Sequence, residues 1–153
     1  MKKVLAALFV GVFLIGGVGS VFAASTVAEE TEALVKKAAA YVKANGKEKA
    51  LAEFNNPQGQ FVKGEELYVF AYDLNGTIIA HPKNPKLVGM DMTAIKDSDG
   101  KFFTLDFLKA VKSPAGKGWV EYRWTNPKTK KIQPKASYVE KAGDIFVGCG
   151  YYK

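Results

Sequence analysis

The sequence predicts an α+β domain, in which helices pack on one antiparallel sheet. Three observations support this prediction: two helical stretches come first, an Asn75-Gly76 turn joins two neighbouring strands, and three further strands close the chain. The chain has 153 residues, of which 48% are hydrophobic and 24% are charged, enough for one domain with its own core. We place this domain at residues 24–153.

The first 23 residues have the layout of a secretory signal peptide. Lys2 and Lys3 precede an apolar run from Val4 to Gly19, and Ala23 suits cleavage by a signal peptidase. The alternative is an uncleaved N-terminal membrane anchor, because the apolar stretch up to Ala24 is just long enough to span a bilayer. We therefore expect the domain to be periplasmic or secreted.

The remaining composition excludes several classes of protein. The net charge is +7, but the lysines are scattered and Arg123 is the only arginine, which argues against a nucleic-acid partner. Cys149 is the only cysteine, so no intramolecular disulfide is possible. With His81 as the only histidine, the chain also lacks a zinc-ligand pattern. We expect neither a metal nor a cofactor.

Three helices are predicted. The first runs from Thr26 to Ala44, where Ser25 or Thr26 caps a turn rich in glutamate and Asn45-Gly46 ends the helix. A second, short helix covers Lys47 to Phe54, and a third covers Phe102 to Lys112 with apolar residues along one side.

The first strands are read from alternation. Gln60 to Val62 is a short strand, and Glu66 to Asp73 is a longer one with Tyr68, Phe70 and Tyr72 on one face. Thr77 to His81 returns beside it. Pro82 to Gly100 is long and irregular, and loops of this length in a compact domain are usually functional or lie over something.

The last strands surround a second hairpin. Its arms are Gly118 to Thr125, rich in aromatic and β-branched residues, and Ile132 to Lys141. Asn126-Pro127 breaks the first arm because proline has no N–H for the ladder. Asp144 to Tyr152 is the final strand.

In this order, seven short pieces of the sequence resemble the single Cache domain (sCache_2-like), the extracytoplasmic sensor module of bacterial chemoreceptors and histidine kinases. They are Tyr-Val-Phe-Ala-Tyr-Asp-Leu-Asn-Gly-Thr (68–77), Ala-His-Pro (80–82), Leu-Val-Gly (87–89), Asp-Ser-Asp-Gly-Lys (97–101), Gly-Trp-Val-Glu-Tyr-Arg-Trp (118–124), Pro-Lys-Ala-Ser-Tyr-Val (134–139) and Val-Gly-Cys-Gly-Tyr-Tyr (147–152). The resemblance implies a PAS-like fold, with a long N-terminal helix packed on a five-stranded antiparallel sheet and the ligand held on the other side under a loop.

The resemblance implies a sensor domain that binds a small molecule, which we expect to be a small carboxylate or an amino acid. Because the sequence stops at Lys153, directly after the last predicted strand, we expect a domain without its own signalling module that works with a membrane receptor or histidine kinase. The alternative is an accessory subunit with a non-functional pocket, acting through a partner or through a homodimer along the Thr26 to Ala44 helix. We expect no enzymatic activity, because no Gly-x-Ser-x-Gly, Cys–His pair or metal cluster is present.

Seven residues are candidates for ligand contact: Tyr72, His81, Tyr122, Arg123, Trp124, Lys135 and Tyr138. The planar fork of Arg123 suits a carboxylate. However, Tyr122 and Trp124 share one face of their strand and Arg123 takes the other, so the three line one pocket only if a bulge intervenes.

The remaining candidates are also divided by alternation. The resemblance places Lys135 against an anionic ligand group, whereas Tyr138 has the opposite parity, so one of the two is structural. His81 ends a strand that leads into the long loop, and an imidazole there would make binding sensitive to pH. Tyr72 shares its face with Tyr68, so both line the pocket or both pack under a helix.

Overall fold

A computed structural model describes residues 26–153 and confirms the α+β fold, with helices packed on an antiparallel sheet. The predicted signal peptide at residues 1–23 lies outside the described residues and stays a prediction. Within residues 26–153, no helix combines the length and the apolar character that a membrane span requires.

The three helices lie where the sequence places them, within a residue at each end. Helix α1 is Val27–Asn45, helix α2 is Lys47–Asn55 and helix α3 is Phe103–Lys112. At the start of α1, Thr26 and Glu29 form a reciprocal capping box, which satisfies backbone donors that have no partner inside the helix.

The sheet has six strands, and five of them follow the order β1-β2-β6-β5-β4 with every pairing antiparallel. The short strand β3 pairs with β2 on the edge that β1 also uses. The strand bounds are β1 Val62–Lys63, β2 Leu67–Asp73, β3 Ile78–Ala80, β4 Lys117–Thr125, β5 Ile132–Ala142 and β6 Ile145–Tyr152.

One face of the sheet is covered by α1 and α2. Its core is apolar and includes Val35 and Phe54 from the helices and Val69, Ile145 and Val147 from the strands. Because side chains alternate along a strand, the neighbouring residues of the same strands point to the opposite face.

The opposite face is covered in two different ways. Helix α3 lies over one half and packs Phe103 and Phe107 on an aromatic cluster. The other half is covered by the irregular segment after β3, which contains a 3-10 turn at Pro85–Leu87, and by the β4–β5 turn. The pocket described below lies in this second half.

Candidate ligand-binding site

A pocket of about 330 Å³ opens between the segment after β3 and the β4–β5 turn. It lies on the face of the sheet opposite α1, under the loop that the sequence predicted to be functional. Its lining residues are Tyr68, His81, Lys83, Asn84, Leu87, Trp124, Thr125, Pro127 and Lys130. Of these described residues none is acidic, so the wall presents donors and cations rather than carboxylates.

His81 is fixed in the wall by two elements. Its backbone N–H donates to Asn55 Oδ1 of α2 at 3.1 Å, and its Nδ1 accepts a hydrogen bond from the Asn84 N–H at 2.9 Å. Burial and the charge of Lys135 lower the pKa of His81 to about 3, so the imidazole is neutral above that pH. Because Nδ1 accepts, the proton of the neutral ring is on Nε2, which is therefore a donor.

Lys135 lies directly behind this wall. Its side chain is 2% exposed, and its ammonium donates to the Tyr68 hydroxyl at 3.0 Å. The ammonium also lies 4.4 Å from the ring centroid of Tyr68 and 4.8 Å from that of Tyr152. Across residues 26–153, Lys135 takes part in none of the ion pairs. Among residues 26–153, the buried nitrogen of Lys135 thus has a hydroxyl and aromatic faces as partners but no carboxylate counterion.

Two glycines of β6 make room for this arrangement. A Cβ at Gly150 would lie 2.1 Å from Ser137 Oγ and 2.9 Å from Lys135 Cε, and a Cβ at Gly148 would lie 2.5 Å from the Phe70 ring. All three distances are shorter than real Cβ contacts, so a side chain at either position would displace its neighbour. The absence of side chains at these two positions of β6 allows Lys135 to lie against the sheet.

The hydroxyl groups around Lys135 form a connected polar path. Tyr68 accepts from Lys135 and interacts with the Tyr152 hydroxyl, which itself donates to the Thr125 carbonyl at 2.9 Å. Burial raises the pKa of Tyr68 well above its usual range, and burial raises that of Tyr152 to about 12. Both phenols are therefore neutral and cannot act as the missing counterion at neutral pH.

The structure brings together three of the seven predicted residues at this site. His81 and Trp124 line the pocket, and Lys135 lies one hydrogen bond behind it. Tyr72 and Tyr122 lie on the same face but under α3, where Tyr72 stacks on Phe146 at 5.2 Å. Tyr122 stacks on Phe103 at 4.7 Å and bonds to Ser137 at 3.1 Å, so both tyrosines belong to the packed half.

The two remaining candidates lie outside the pocket. Arg123 pairs with Asp99 through its Nε at 2.8 Å on the protein surface. Tyr138 packs in the core beneath α1 and contacts Trp119 at 5.3 Å. No bulge interrupts the β4–β5 register, so strand alternation keeps both side chains away from Lys135.

Sequence reasoning missed Tyr68, Tyr152 and the rim residues Lys83 and Lys130. Tyr68 shares its face with Tyr72, as alternation predicts, but the expectation that both line the pocket or both pack under a helix is wrong. The choice between the two depends on which end of β2 lies under α3, which is a tertiary fact. Lys130 is displayed at the rim by a left-handed backbone, with a φ of 60°, and no sequence signal marks this conformation.

A wider groove of about 590 Å³ lies between the start of α1, the β1–β2 turn and the end of β6. Acidic and basic side chains alternate along it, including Lys63, Glu65, Glu66 and Lys128. Such a mixed surface does not favour one sign of charge. Within residues 26–153 no cluster of His, Cys, Asp or Glu side chains is arranged to hold a metal.

An antiparallel sheet with a long helix on one face and a loop-covered pocket on the other defines a ligand-binding sensor domain of PAS-like architecture. The Single Cache domain 2 profile matches residues 20–153. The chain belongs to this family, whose members are extracytoplasmic sensor modules.

Two curated relatives are signalling receptors. The chain is 36% identical over 87 residues to the methyl-accepting chemotaxis protein McpP of Pseudomonas putida, and this match covers 56% of the chain. It is 33% identical over 76 residues to the sensor histidine kinase MctS of Rhizobium johnstonii, which covers 50% of this chain. In each case the match spans 16% of the relative's length.

Two solved structures support the same assignment. One is a Cache chemosensory domain whose description concerns the structural basis of carboxylic acid recognition. It is 29% identical to this chain with a TM-score of 0.68, and the match covers 82% of this chain and 92% of that one. The other is the periplasmic sensor domain of a chemotaxis protein, 26% identical with a TM-score of 0.64, covering 81% of this chain and 88% of that one.

Proposed function

We propose that this domain binds a small carboxylate in the pocket beside Lys135 and acts as the sensing part of a signalling system. The observation that carries the proposal is the buried ammonium of Lys135, which has no carboxylate partner among residues 26–153. Leaving a charge buried and unpaired is costly, so an anion that reaches it gains a strong interaction.

The other walls of the pocket suit the same ligand. The neutral His81 ring offers an Nε2–H donor, and Trp124 offers an apolar surface for a short carbon chain. Lys83 and Lys130 at the rim add positive potential that attracts an anion. A small, partly apolar carboxylate matches this combination of a cation, a neutral donor and an aromatic face.

The lining favours a plain carboxylate over an amino acid. An amino acid brings an ammonium group that needs an acceptor, and none of the described lining residues carries a carboxylate. A second cation close to Lys135 would also be repelled. The carboxylic acid recognition described for the 29% identical Cache domain supports the same class of ligand.

The signalling step is inferred from the curated relatives. Because they are a chemotaxis receptor and a histidine kinase, we propose that ligand binding here is passed to a membrane receptor or kinase. Three points stay predictions: that the domain works through a partner without a signalling module of its own, that it dimerises along α1, and that it is exported with a cleaved signal peptide.

The experiment is a thermal-shift and calorimetric comparison of matched ligands on the purified domain. Short monocarboxylates from acetate to butyrate are tested beside the amino acids and the amines of equal chain length. We expect the carboxylates alone to raise the Tm by several degrees at saturation, because ligand at a hundredfold excess over Kd adds about 2.7 kcal/mol to the free energy of unfolding.

Lys135→Met is the decisive variant, with Lys141→Met as its control. Lys141 is an exposed lysine of the same strand, so its change tests the loss of a lysine without touching the pocket. We expect Lys135→Met to weaken carboxylate binding by about 10- to 100-fold, because the anion loses the cation that lies behind the Tyr68 wall of the pocket. If no carboxylate binds the unmodified domain, the proposal is wrong and the accessory-subunit alternative gains support.

A further inference from the structure

The setting of Lys135 does not favour the charged form of a lysine. The side chain is 2% exposed, and the partners of its ammonium are one hydroxyl and aromatic ring faces. Ring faces and a neutral phenol stabilise a cation less than water or a carboxylate does. This setting therefore favours the neutral amine in the empty pocket, whereas a carboxylate beside the nitrogen would favour the ammonium.

We propose that the pocket takes up one proton onto the Lys135 nitrogen when it binds a carboxylate, so that the domain responds jointly to the carboxylate and to the acidity outside the cell. This inference rests on the proposed function. In the step, the neutral amine accepts a proton from solvent and becomes an ammonium, the carboxylate stays ionised, and the pair enters the pocket with no net change in charge.

The groups that face Lys135 from the surrounding strands do not compete for this role. They are Tyr68 of β2, His81 after β3, Tyr122 of β4 and Tyr152 of β6, while Cys149 of β6 acts on Lys135 from the opposite face of the sheet. Burial raises the pKa of Cys149 to about 12, and it raises the pKa values of the three phenols as well. Glu66 acts on Tyr152 and accepts a hydrogen bond from Asn126, and it forms no ion pair with Lys135.

Lys135 is therefore the group of this cluster that titrates near neutrality. Burial lowers its pKa to about 7 in the empty pocket, and a bound carboxylate raises it. Below pH 7 the lysine is charged before and after binding, so affinity does not change with pH. Above pH 7 each bound ligand must bring a proton, so affinity falls by about tenfold per pH unit until the pKa of the filled pocket is reached.

The sequence predicted that His81 would make binding sensitive to pH, whereas we infer that Lys135 does so. The imidazole is buried, faces the positive charge of Lys135 and has a pKa of about 3, far below the neutral range. Its Nδ1 is also occupied by the Asn84 N–H, which stabilises the neutral ring. His81 acts here as a neutral donor.

The test measures binding of one carboxylate, propionate, to the described domain by calorimetry at pH 6, 7, 8 and 9. Each pH is run in two buffers with different ionisation enthalpies, which gives the number of protons taken up per ligand. We expect uptake near zero at pH 6 that rises toward one at pH 8 to 9, with the Kd weakening by about tenfold per pH unit over the same interval.

Two variants locate the proton. Lys135→Arg keeps a charge that cannot be lost, so the variant should bind with no proton uptake and a flat pH profile. His81→Asn should weaken binding at every pH yet keep the wild-type slope, because the titrating nitrogen is still present. If Lys135→Arg does not fold, as judged from its melting curve, the proton count of the unmodified domain still decides the question.

The possible results separate this inference from the proposed function. Binding with a constant Kd and no proton uptake between pH 7 and 9 overturns proton-linked binding and leaves the carboxylate pocket intact. A slope that disappears in His81→Asn overturns it too, since the proton would then be on the imidazole. Absence of propionate binding at every pH, together with failure of the other monocarboxylates, overturns the proposed function itself.

Discussion

The two halves of the sheet face opposite α1 are built from the same strands but differ in what they enclose. In the half under α3, Tyr72, Tyr122 and Phe146 pack against Phe103 and Phe107 with ring centroids 4.7 to 6.2 Å apart. In the half under the loop, β2 supplies Tyr68 and β5 supplies Lys135, and a pocket of about 330 Å³ stays open beside them.

The two halves differ because a helix covers one of them and an irregular segment covers the other. A helix presents a regular apolar stripe, so α3 fills its half with side chains from positions four apart, Phe103 and Phe107. An irregular segment cannot offer such a stripe, and its backbone groups must find partners of their own. Hence the loop-covered half keeps polar walls and a buried lysine beside its pocket, and it is the half in which we propose that a ligand binds.

The largest effect is expected from a change in the half under α3. Phe107→Ala removes a fully buried ring that contacts five others and should lower the free energy of unfolding by about 3–5 kcal/mol. The Kd for a carboxylate should change little in protein that remains folded. Denaturant melts and calorimetry on the same samples measure the two quantities.

Trp124→Ala is the matched change in the loop-covered half. Trp124 is partly exposed and lines the pocket, so its loss should cost less stability but should weaken carboxylate binding by about tenfold. If Phe107→Ala and Trp124→Ala affect stability and affinity in the same proportion, the two halves are not functionally distinct.

The next effect is the pH dependence of stability without ligand. The pKa of Lys135 falls from its ordinary 10.5 to about 7 on folding, so the unfolded chain binds more protons between these values. The free energy of unfolding should therefore rise with pH from about 7 to 10, by at most about 1.4 kcal/mol per unit. Above about pH 10 the buried tyrosines, whose pKa values are raised, oppose this gain.

Lys135→Met tests whether Lys135 causes this pH dependence. The variant should remove the rise in the free energy of unfolding between pH 7 and 10, and it should stabilise the empty domain at pH 6. Urea melts at each pH give the free energies. An unchanged pH profile in Lys135→Met would mean that another group is responsible.

A smaller effect is expected from Gly150→Ala. The added methyl meets Ser137 Oγ and Lys135 Cε, and overpacking of this kind costs about 1–3 kcal/mol. Because the methyl also pushes Lys135 from its position, carboxylate affinity should fall with stability. Ser137→Ala in the same chain removes the atom nearest to the new methyl, and the double variant should recover part of both losses in melts and calorimetry.

The smallest effect concerns the rim. Lys130→Asn keeps a residue that tolerates the left-handed backbone at this position but removes a positive charge. We expect a reduction in the rate of carboxylate association of about two- to threefold at low ionic strength, vanishing at high salt where exposed charges are screened. Stopped-flow tryptophan fluorescence follows the rate, and an effect that persists at high salt would indicate direct contact instead.

The elements of this fold were predictable because each has a local cause. The capping box at Thr26, the Asn75-Gly76 turn and the break at Asn126-Pro127 mark ends that the structure reproduces within a residue or two. Alternation also predicted correctly that Tyr122 and Trp124 face away from Arg123, and that Lys135 and Tyr138 point to opposite faces.

Local sequence patterns were enough to predict the elements, their order, the side of each strand on which a residue lies, and the family resemblance. Tertiary packing, in contrast, places α3 over Tyr72 and Tyr122 and leaves Tyr68, His81 and Trp124 around the pocket. Tertiary packing also leaves Lys135 without an ion-pair partner among residues 26–153 and lowers the pKa of His81 to about 3. The reason is physical: alternation and capping act between neighbours in the chain, whereas burial, cavities and shifted pKa values depend on which distant segments meet.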